Sequence, residues 1–495
     1  MIGRGETPLP PCAGPIVDAD GHVVEPESAW HALPDRYRPR ISADNAGYEH
    51  VVVGDTELLA VPLGSLARPG STFDDPASFR PLAQAQPGGS DPVARLRDMD
   101  GEGIDQAVLY PTIGLYFSLV PDPAAAVALA AAYNDWLAGY CAAGPRRLFG
   151  AAMLPLQDPA EAARELRRAV SELSLVAGFV RPNPCLGRSL SDRAYDVVWE
   201  AAEELGVPIG IHEGSSVSVP TLGSDRPFNP LVLHAVSHSF EAMLACAQLI
   251  AFGTLERHPG LRLLFLESSG GWAPFWLDRL DEQAESFGGF CPDMPLRPSE
   301  YFARQCAISF EVDERTLPAL APFVGEDHIV WGSDYPHHDA TFPGAVDAIR
   351  ATVAPCTTAT QVHVLGLNAR RLYELPSRRT GLPGLLDDYF TAVTAQDIDL
   401  VRPLFTPDAV FESGDIRLEG VDAISGYYLS KTFSYPDFRP APGTPVFAGT
   451  RIEVDIDVHL GGARNSVHDV FETHGTRITS LRVSGFEEAL GVARR

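Results

Sequence analysis

Carboxylate and imidazole side chains stand at the ends of four short apolar segments of this sequence. The segments lead into Asp20-Gly-His22, His212, Glu267 and Asp334. In an extended strand alternate side chains point the same way, so Asp20 and His22 can converge on one point. Nitrogen and oxygen donors that arrive from separate strands are ligands that zinc, manganese and iron take in proteins. The four segment ends therefore predict a metal or catalytic cluster.

Each of these residues also has an ordinary structural interpretation. A single histidine at a strand end often makes only a hydrogen bond, and an aspartate before glycine commonly forms a turn. The segment Ser333-Asp334-Tyr335-Pro336 could cap a helix. We favour the cluster because such groups recur at four separate segment ends.

Eight buried strands, with amphipathic helices between them, are predicted over the first 375 residues. Continuous apolar runs suit a parallel sheet that is covered on both faces. In the helix predicted over Asp158–Leu173 the apolar residues follow one stripe, and Asp158 and Pro159 suit its start. This alternation predicts an α/β fold, a (β/α)8 TIM barrel, whose chemistry lies at the carboxyl ends of the strands. The predicted strands are Ile16–Asp20, Ala107–Pro111, Phe149–Leu154, Val176–Arg181, Ile209–His212, Leu263–Glu267, Ala307–Phe310 and Ile329–Asp334.

An insertion and a linker interrupt this pattern. Residues 25–90 are rich in proline and glycine, and Tyr48–Pro62 alternates like a β-hairpin, so we interpret the insertion as a lid over the barrel. Residues 376–382 suit a linker between a barrel domain, residues 1–375, and a smaller α+β domain, residues 383–495. In the smaller domain we expect helices at Leu385–Gln396 and Val421–Ser430, and strands at Ala409–Glu412, Ile452–Leu460, Asn465–Thr473 and Arg477–Phe486.

The composition argues against several function classes. The formal net charge is −27 at pH 7, so nucleic-acid phosphates and anionic membrane surfaces would repel the chain. Lys431 is the only lysine, which excludes a Walker loop and a kinase-type lysine in the barrel. The seven cysteines form no C-x-x-C pair, and Met1–Pro15 lacks the apolar core of a signal peptide. We expect a cytoplasmic protein that binds a small molecule, with no nucleic-acid or membrane partner.

Several motifs follow one another in a fixed order between Pro15 and Leu375. They are Leu249–Leu261 with its Arg257-His258-Pro259, Glu267, Gly271-Trp272, Trp276–Asp281, Ser309–Glu311, Ser333–His337 and Asn368–Tyr373. In this order they resemble the amidohydrolase superfamily. The resemblance is to the amidohydrolase-2 branch, which includes aminocarboxymuconate-semialdehyde decarboxylase and the hydroxybenzoate decarboxylases.

The resemblance implies one divalent metal ion. The family's first-strand motif is His-x-His, or Glu-x-His in some decarboxylases, and it stands here as Asp20-x-His22. Carried over position by position, the ligands are Asp20, His22, His212 and Asp334. Zinc is our first expectation, and the two carboxylates leave manganese or iron open. Binuclear members carry a lysine where this sequence has Arg181, so a lysine-bridged metal pair is disfavoured.

Departures from the family pattern leave the catalytic roles open. Where the family's decarboxylases carry a histidine after strand six, this chain has Glu267. Glu267 could shuttle a proton if burial beside Trp272 or another carboxylate raised its pKa, or it could be a structural hydrogen-bond acceptor. Trp272 is also a candidate substrate contact. Arg181 could clamp a substrate carboxylate or form a salt bridge within the barrel. His238, expected to open the helix after strand five, is a candidate proton donor or helix cap.

The C-terminal segment, Leu382–Phe486, resembles the nuclear-transport-factor-2/polyketide-cyclase-like cone fold. The resemblance is carried by Tyr389-Phe390 and by the segments Leu404–Phe411 and Leu418–Ile424. It implies a fold rather than a function, because this fold hosts both enzymes and dimerisation modules. Candidate residues of its cavity are Tyr427, His459, His468 and Asp469.

Together these inferences predict a metal-dependent decarboxylase of a small unsaturated or aromatic carboxylic acid. Arg181 would orient the acid, and Glu267 or His238 would protonate the carbon that loses CO2. The alternative is hydrolysis of a C–C, amide or lactone bond, with Asp334 deprotonating the water and Glu267 assisting the leaving group. A tailoring cyclase or dehydratase that uses both domains, and a metal-free binding protein, are the remaining alternatives. We expect a homodimer.

Overall fold

The computed structural model of the chain describes residues 14–214, 219–227 and 229–485. The prediction that Met1–Pro15 is not a signal peptide falls mostly on residues outside these ranges, namely residues 1–13. Phe486, the predicted end of the last strand, also lies outside them. One compact unit comprises Ile16–Thr352 and Asn368–Pro376, and the other comprises Val353–Leu367 and the chain from Ser377 onwards. The linker at residues 376–382 stays a prediction.

The first barrel strand, β1 (Val17–His22), is followed by the insertion. The insertion contains a three-stranded antiparallel sheet of β2 (Arg40–Ala43), β3 (Glu49–Val53) and β4 (Thr56–Val61), and then a short helix, α1 (Leu63–Leu66). The predicted hairpin is confirmed as β3 and β4. Strand β2 was not predicted, because it is short and mostly exposed and carries no alternating pattern. The role of the insertion as a lid stays a prediction.

The other seven barrel strands alternate with helices along the chain, and all eight predicted strands are confirmed. The strands are β5 (Gln106–Tyr110), β6 (Leu148–Met153), β7 (Ala177–Val180), β8 (Ile209–His212), β9 (Leu263–Leu266), β10 (Cys306–Glu311) and β11 (Ile329–Gly332). The helices of this part of the chain are α2 (Pro92–Glu102), α3 (Pro123–Cys141), α4 (Pro159–Ser171), α5 (Asp196–Leu205), α6 (Pro230–Ala251), α7 (Thr254–Arg257), α8 (Trp272–Phe287), α9 (Pro298–Gln305), α10 (Leu317–Val324), α11 (Ala345–Val353), α12 (Thr358–Val362) and α13 (Asn368–Leu372).

The eight barrel strands form one parallel sheet in the order β1-β5-β6-β7-β8-β9-β10-β11. Every residue of β5, β6 and β8 is buried, as expected for strands that are covered on both faces. At the carboxyl end of β1, the amide of Asp334 donates to the carbonyl of Asp20 at 3.0 Å, and the amide of His22 donates to the carbonyl of Tyr335 at 2.7 Å. These bonds join the last strand to the first. The predicted (β/α)8 barrel is therefore confirmed.

Helix α4 shows how the local sequence fixes the helices outside the sheet. The carboxylate of Asp158 accepts hydrogen bonds from the amides of Ala160 and Glu161, and Pro159 occupies the first turn. A side-chain cap of this kind stabilises a helix by about 1 kcal/mol. Among the helices in the described parts of the chain, none is both long enough and apolar enough to cross a membrane.

The smaller unit contains a mixed sheet in the order β13-β12-β18-β17-β16-β14, with β15 paired to β16. The predicted helices and the four predicted strands are present, whereas β13, β14 and β15 were missed because they are short. Tyr389, Phe390, Phe411 and Phe471 belong to its apolar core. Its elements are α14 (Gly381–Thr394), α15 (Ile398–Val401), β12 (Phe405–Ser413), β13 (Ile416–Glu419), α16 (Val421–Ser430), β14 (Arg439–Pro442), β15 (Val446–Ala448), β16 (Arg451–Leu460), β17 (Ala463–His474) and β18 (Arg477–Ser484).

Candidate functional site

Four buried side chains meet at the carboxyl ends of the barrel strands. Asp20 and His22 belong to β1, His212 is the last residue of β8, and Asp334 follows β11. Nε2 of His22 lies 3.1 Å from Nε2 of His212 and 3.3 Å from Oδ1 of Asp334. Oδ1 of Asp20 lies 3.3 Å from Nε2 of His212 and 3.6 Å from Nε2 of His22. The structure thus brings together the four residues that the sequence singled out as ligands.

The hydrogen bonds of the two imidazoles decide which nitrogen faces this cluster. Nδ1 of His22 lies 2.8 Å from the carbonyl oxygen of Pro111, and Nδ1 of His212 lies 2.5 Å from the carbonyl oxygen of Glu213. Because a carbonyl only accepts, each Nδ1 carries the hydrogen and donates it. Nε2 of each ring then faces the cluster. Burial lowers the pKa of His212, but the charge of Asp20 and its hydrogen bond raise it above the usual value, so a proton or a metal ion can occupy the position between the two Nε2 atoms.

The distances among Asp20, His22 and His212, and from His22 to Asp334, are those expected between ligands of one divalent ion. Zinc ligands at about 2.1 Å in a tetrahedron stand about 3.4 Å apart, and the four distances given above run from 3.1 to 3.6 Å. In addition, Oδ1 of Asp20 is buried without a hydrogen-bond partner among the described residues, whereas Oδ1 of Asp334 lies 2.6 Å from Nδ1 of His337. A buried polar atom left unpaired costs about 1–3 kcal/mol. The residues present therefore fit a metal ion.

Burial controls the protonation of the cluster. Loss of solvent raises the pKa of Asp20, and it raises the pKa of Asp334 further, where the negative charge of Glu267 adds to the effect. Loss of solvent also holds the pKa of His22 well below its usual range, so this imidazole is neutral at pH 7. A neutral imidazole is a ligand, and a cation beside the two carboxylates would keep both of them ionised.

Strained backbone positions carry two of the carboxylates. The φ angle is +42° at Glu267 and +54° at Asp334, a region that costs a non-glycine residue about 1–3 kcal/mol. Oε2 of Glu267 lies 3.5 Å from Nε2 of His212. Asp18 fixes the loop after β11 by accepting hydrogen bonds from the amide of Ser333 at 2.9 Å and from its hydroxyl at 2.6 Å. Strain that is held in place in this way is typical of functional sites.

Glu267 and His238 form an ion pair beside the cluster. Nε2 of His238 lies 3.5 Å from Oε1 of Glu267. Burial alone would lower the pKa of His238, but the negative charge of Glu267 raises it to about 9. Burial alone would raise the pKa of Glu267, but the charge of His238 holds it well below its usual range. At neutral pH His238 is therefore the acid of the pair, and the raised pKa that we considered for Glu267 does not occur.

The position of His238 in its helix corrects the sequence analysis. Helix α6 begins at Pro230, and the side chain of Asn229 caps it by accepting from the amide of Val232. His238 lies in the third turn, so it does not open the helix and is not its cap. Its Nδ1 lies 3.0 Å from the carbonyl oxygen of His234 and donates to it, so Nε2 faces Glu267.

The cluster opens into a cavity of about 360 Å³. Its described lining includes five carboxylates and neither lysine nor arginine. The carboxylates are Glu267, Glu311, Asp313, Asp334 and Asp339. The cavity is therefore rich in carboxyl groups, although burial raises the pKa of Glu311 and Asp334, and within it His238 is a source of positive charge. Glu311 and Asp339 were not predicted as site residues; Glu311 is the last residue of strand seven, and Asp339 lies in the loop after strand eight.

Arg181 lies outside the lining of this cavity. Its guanidinium donates to the carboxylate of Glu213 at 2.9 Å and to the side-chain oxygen of Asn183 at 3.0 Å. It also donates to the carbonyl oxygens of Leu115 and Gly214, both at 2.9 Å. This arrangement corresponds to the salt-bridge alternative, and it leaves the guanidinium no direction in which to clamp a substrate.

Trp272, the expected substrate contact, is also absent from the described lining. It is the first residue of α8, it is buried, and its ring centroid lies 5.8 Å from that of Phe265. Its indole Nε1 lies 3.4 Å from Oγ of Ser268. These contacts indicate that Trp272 packs between the helix and the sheet.

The chain matches two family models. The model described as amidohydrolase matches residues 17–375, and the model described as SnoaL-like domain matches residues 386–481. The chain is 29% identical over 247 residues to the 2-amino-3-carboxymuconate-6-semialdehyde decarboxylase of Dictyostelium discoideum, which covers 50% of this chain and 67% of that protein. It is 28% identical over 297 residues to a gamma-resorcylate decarboxylase of Rhizobium radiobacter, which covers 57% of this chain and 87% of that protein.

Solved structures show the same similarity. The crystal structure of an amidohydrolase from Mycobacterium avium subsp. paratuberculosis has a TM-score of 0.63 and 25% identity, covering 73% of this chain and 99% of that one. The crystal structure of 5-carboxyvanillate decarboxylase from Sphingomonas paucimobilis has a TM-score of 0.56 and 27% identity, with the same coverage of 73% and 99%. Both similarities span nearly the whole of those chains.

Proposed function

Since the chain belongs to the amidohydrolase family, we propose that its barrel is a metal-dependent decarboxylase of a small aromatic or unsaturated carboxylic acid. The observation that carries this proposal is the presence of two groups of potential metal ligands that share His22, beside a protonated His238 that lines the same cavity as Asp334. The groups are Asp20, His22 and His212, and His22, Glu267, Asp334 and His337. The similarity to 2-amino-3-carboxymuconate-6-semialdehyde decarboxylase, gamma-resorcylate decarboxylase and 5-carboxyvanillate decarboxylase supports the reaction type.

Asp20, His22, His212 and Asp334 would hold one divalent ion. When bound, the ion supplies a positive charge that neutralises the carboxylate of the substrate and orients it. The two histidines are prepared for this role because the carbonyls of Pro111 and Glu213 fix their tautomers.

His238 supplies the proton. When the bond between the substrate carbon and its carboxylate breaks, CO2 leaves and the electron pair stays on that carbon. The carbon takes the proton from Nε2 of His238, which becomes neutral. Glu267 keeps His238 protonated before the reaction, and its negative charge favours the return of a proton from solvent afterwards.

Deuterium incorporation tests this function. The full-length protein, loaded with zinc or manganese, is incubated in D2O with a panel of hydroxybenzoates and unsaturated diacids. We expect CO2 release together with one deuterium on the carbon that carried the carboxylate. The His238→Gln variant should lose both signals. Turnover of a panel acid without CO2 release would contradict the proposal.

Hydrolysis of an amide, lactone or C–C bond is a second candidate function. The carboxylate-rich lining favours it, because negative groups repel an anionic substrate more than a neutral one. The presence of Glu267 where the family's decarboxylases carry a histidine also favours hydrolysis. In this reaction Asp334 takes the proton of the attacking water and His238 protonates the leaving group. Label from H2(18)O enters the product only in hydrolysis, whereas CO2 is released only in decarboxylation.

We also propose that the ion is zinc and that the enzyme is a cytoplasmic homodimer. Two imidazole and two carboxylate donors are within the preference of zinc.

The six cysteines in the described ranges are all thiols, which suits a reducing compartment. Phe275, Phe290 and Phe323 are exposed by 66%, 85% and 75%, and such side chains favour burial against a second copy.

A further inference from the structure

A second group of potential ligands lies at the mouth of the cavity, separate from the four-ligand cluster. His234 comes from α6, and His338 and Asp339 come from the loop after β11. Nε2 of His234 lies 3.4 Å from Oδ2 of Asp339, and Nδ1 of His338 lies 3.4 Å from Oδ1 of Asp339. Each residue offers a donor atom within 4.8 Å of the other two. Two chain segments thus converge on one point.

These contacts are longer than charge-assisted hydrogen bonds. A hydrogen bond between a charged nitrogen and a carboxylate is about 2.7–2.9 Å long, whereas both contacts here are 3.4 Å. That length is the separation of about 3.4 Å expected between two ligands of one tetrahedral zinc ion. In addition, Nδ1 of His338 is buried and has no hydrogen-bond partner in the described part of the chain.

His234 is suited to bind a cation at neutral pH. Burial lowers its pKa, and the positive charge of His238, whose ring centroid lies 4.3 Å away, lowers it further. The imidazole therefore keeps its lone pair. The side chains of His234 and Asp339 are 42% and 40% exposed, so an ion can reach them from solvent.

We propose that His234, His338 and Asp339 bind a second divalent cation, with zinc favoured by the two imidazoles and one carboxylate. Three protein ligands leave a fourth position open to water or to an anionic group. Held there, the cation would turn the repulsion between the carboxylate-lined cavity and an anionic substrate into attraction. This last role rests on the proposed function, whereas binding of the cation does not.

Metal stoichiometry, measured without substrate, tests the site. The full-length protein is stripped with a chelator, titrated with zinc by calorimetry, and analysed by mass spectrometry of the bound metal. We expect two equivalents for the wild type and one each for His234→Ala and Asp339→Asn, two partly exposed positions whose replacement spares the core. Asp313→Asn, a matched change of a cavity carboxylate outside the group, should keep two. One equivalent in the wild type, or two in both variants, would overturn the proposal.

Cobalt supplies a second readout. Substituted for zinc, it should give visible absorption that saturates in two steps in the wild type and in one step in Asp339→Asn. If the decarboxylase proposal fails, this result is unaffected; if the second site fails, the four-ligand cluster still binds its ion. With an anionic substrate in hand, Asp339→Asn should raise KM about tenfold with kcat little changed.

Discussion

Nε2 of His22 and Nε2 of His212 face each other at 3.1 Å while each ring donates its Nδ1 hydrogen to a backbone carbonyl. Neither ring can turn away without giving up that hydrogen bond. The backbone of the barrel therefore directs both Nε2 atoms to one point before any ligand arrives. Such preorganisation lowers the cost of ordering a site when it binds its ion.

Removal of one of these rings should abolish tight metal binding. In His22→Ala the cluster loses a neutral nitrogen donor and keeps two carboxylates that repel each other. We expect the affinity of the cluster for zinc to fall at least about 100-fold, measured by competition with a chromogenic chelator. His50→Ala, an exposed histidine of the insertion paired with Glu57 at 2.7 Å, is the matched control and should bind as the wild type does. Equal loss in both variants would contradict the site.

The reaction should slow as the pH rises through about 9. Glu267, Glu213 and the backbone carbonyl of His234 surround His238, and the two carboxylates raise the pKa of this imidazole to about 9 against the effect of burial. A group with a raised pKa is charged below that value, so the acid is present at neutral pH and is lost above about pH 9. In Glu267→Gln the fall of kcat with rising pH should begin at a lower pH. If the pH at which kcat falls is unchanged, His238 is not the acid.

Stability of the smaller unit should decrease between about pH 4 and pH 8. Burial raises the pKa of Asp469 to about 8, and its Oδ1 has no hydrogen-bond partner among the described residues. The folded state then holds one proton that the unfolded state has released, so the free energy of unfolding falls by up to about 1.4 kcal/mol per pH unit in this window. Hydrogen exchange of the β17 amides at pH 5.5 and 7.5 measures it. Asp469→Asn should remove the dependence.

Arg181 should contribute to stability rather than to substrate affinity. Its removal leaves Glu213 as an uncompensated buried carboxylate, which typically costs about 3–5 kcal/mol. We expect Arg181→Met to lower the free energy of urea unfolding by this amount, and Arg181→Met combined with Glu213→Gln to recover part of it. If Arg181→Met instead raised only KM and left the stability unchanged, the hypothesis that Arg181 binds the substrate carboxylate would be supported.

The sequence was sufficient for the barrel, because apolar runs mark the strands, and for the residues at the strand ends, because the carboxyl ends of the strands meet at one end of a barrel. The choice of Asp20, His22, His212 and Asp334 as ligands came from the family resemblance and stays a prediction. Contacts between residues that are distant in the chain could not be predicted from the sequence. Whether Arg181 faces substrate or Glu213 depends on which way two loops turn, and the meeting of His234 with Asp339 depends on the path of the loop after β11. The start of α6 was misplaced because Asn229-Pro230, a capping pair, went unrecognised.

The bonds between Asp334 and Asp20, and between Tyr335 and His22, close the barrel at the seam where the first strand meets the last. Three of the four proposed ligands lie on this seam, and they come from opposite ends of the barrel sequence. A fragment that lacks the final strand lacks Asp334, so we expect metal loading to follow completion of the barrel. A bound ion would then hold the first and last strands of the barrel together. Its release would lower the stability of the barrel where these two strands meet.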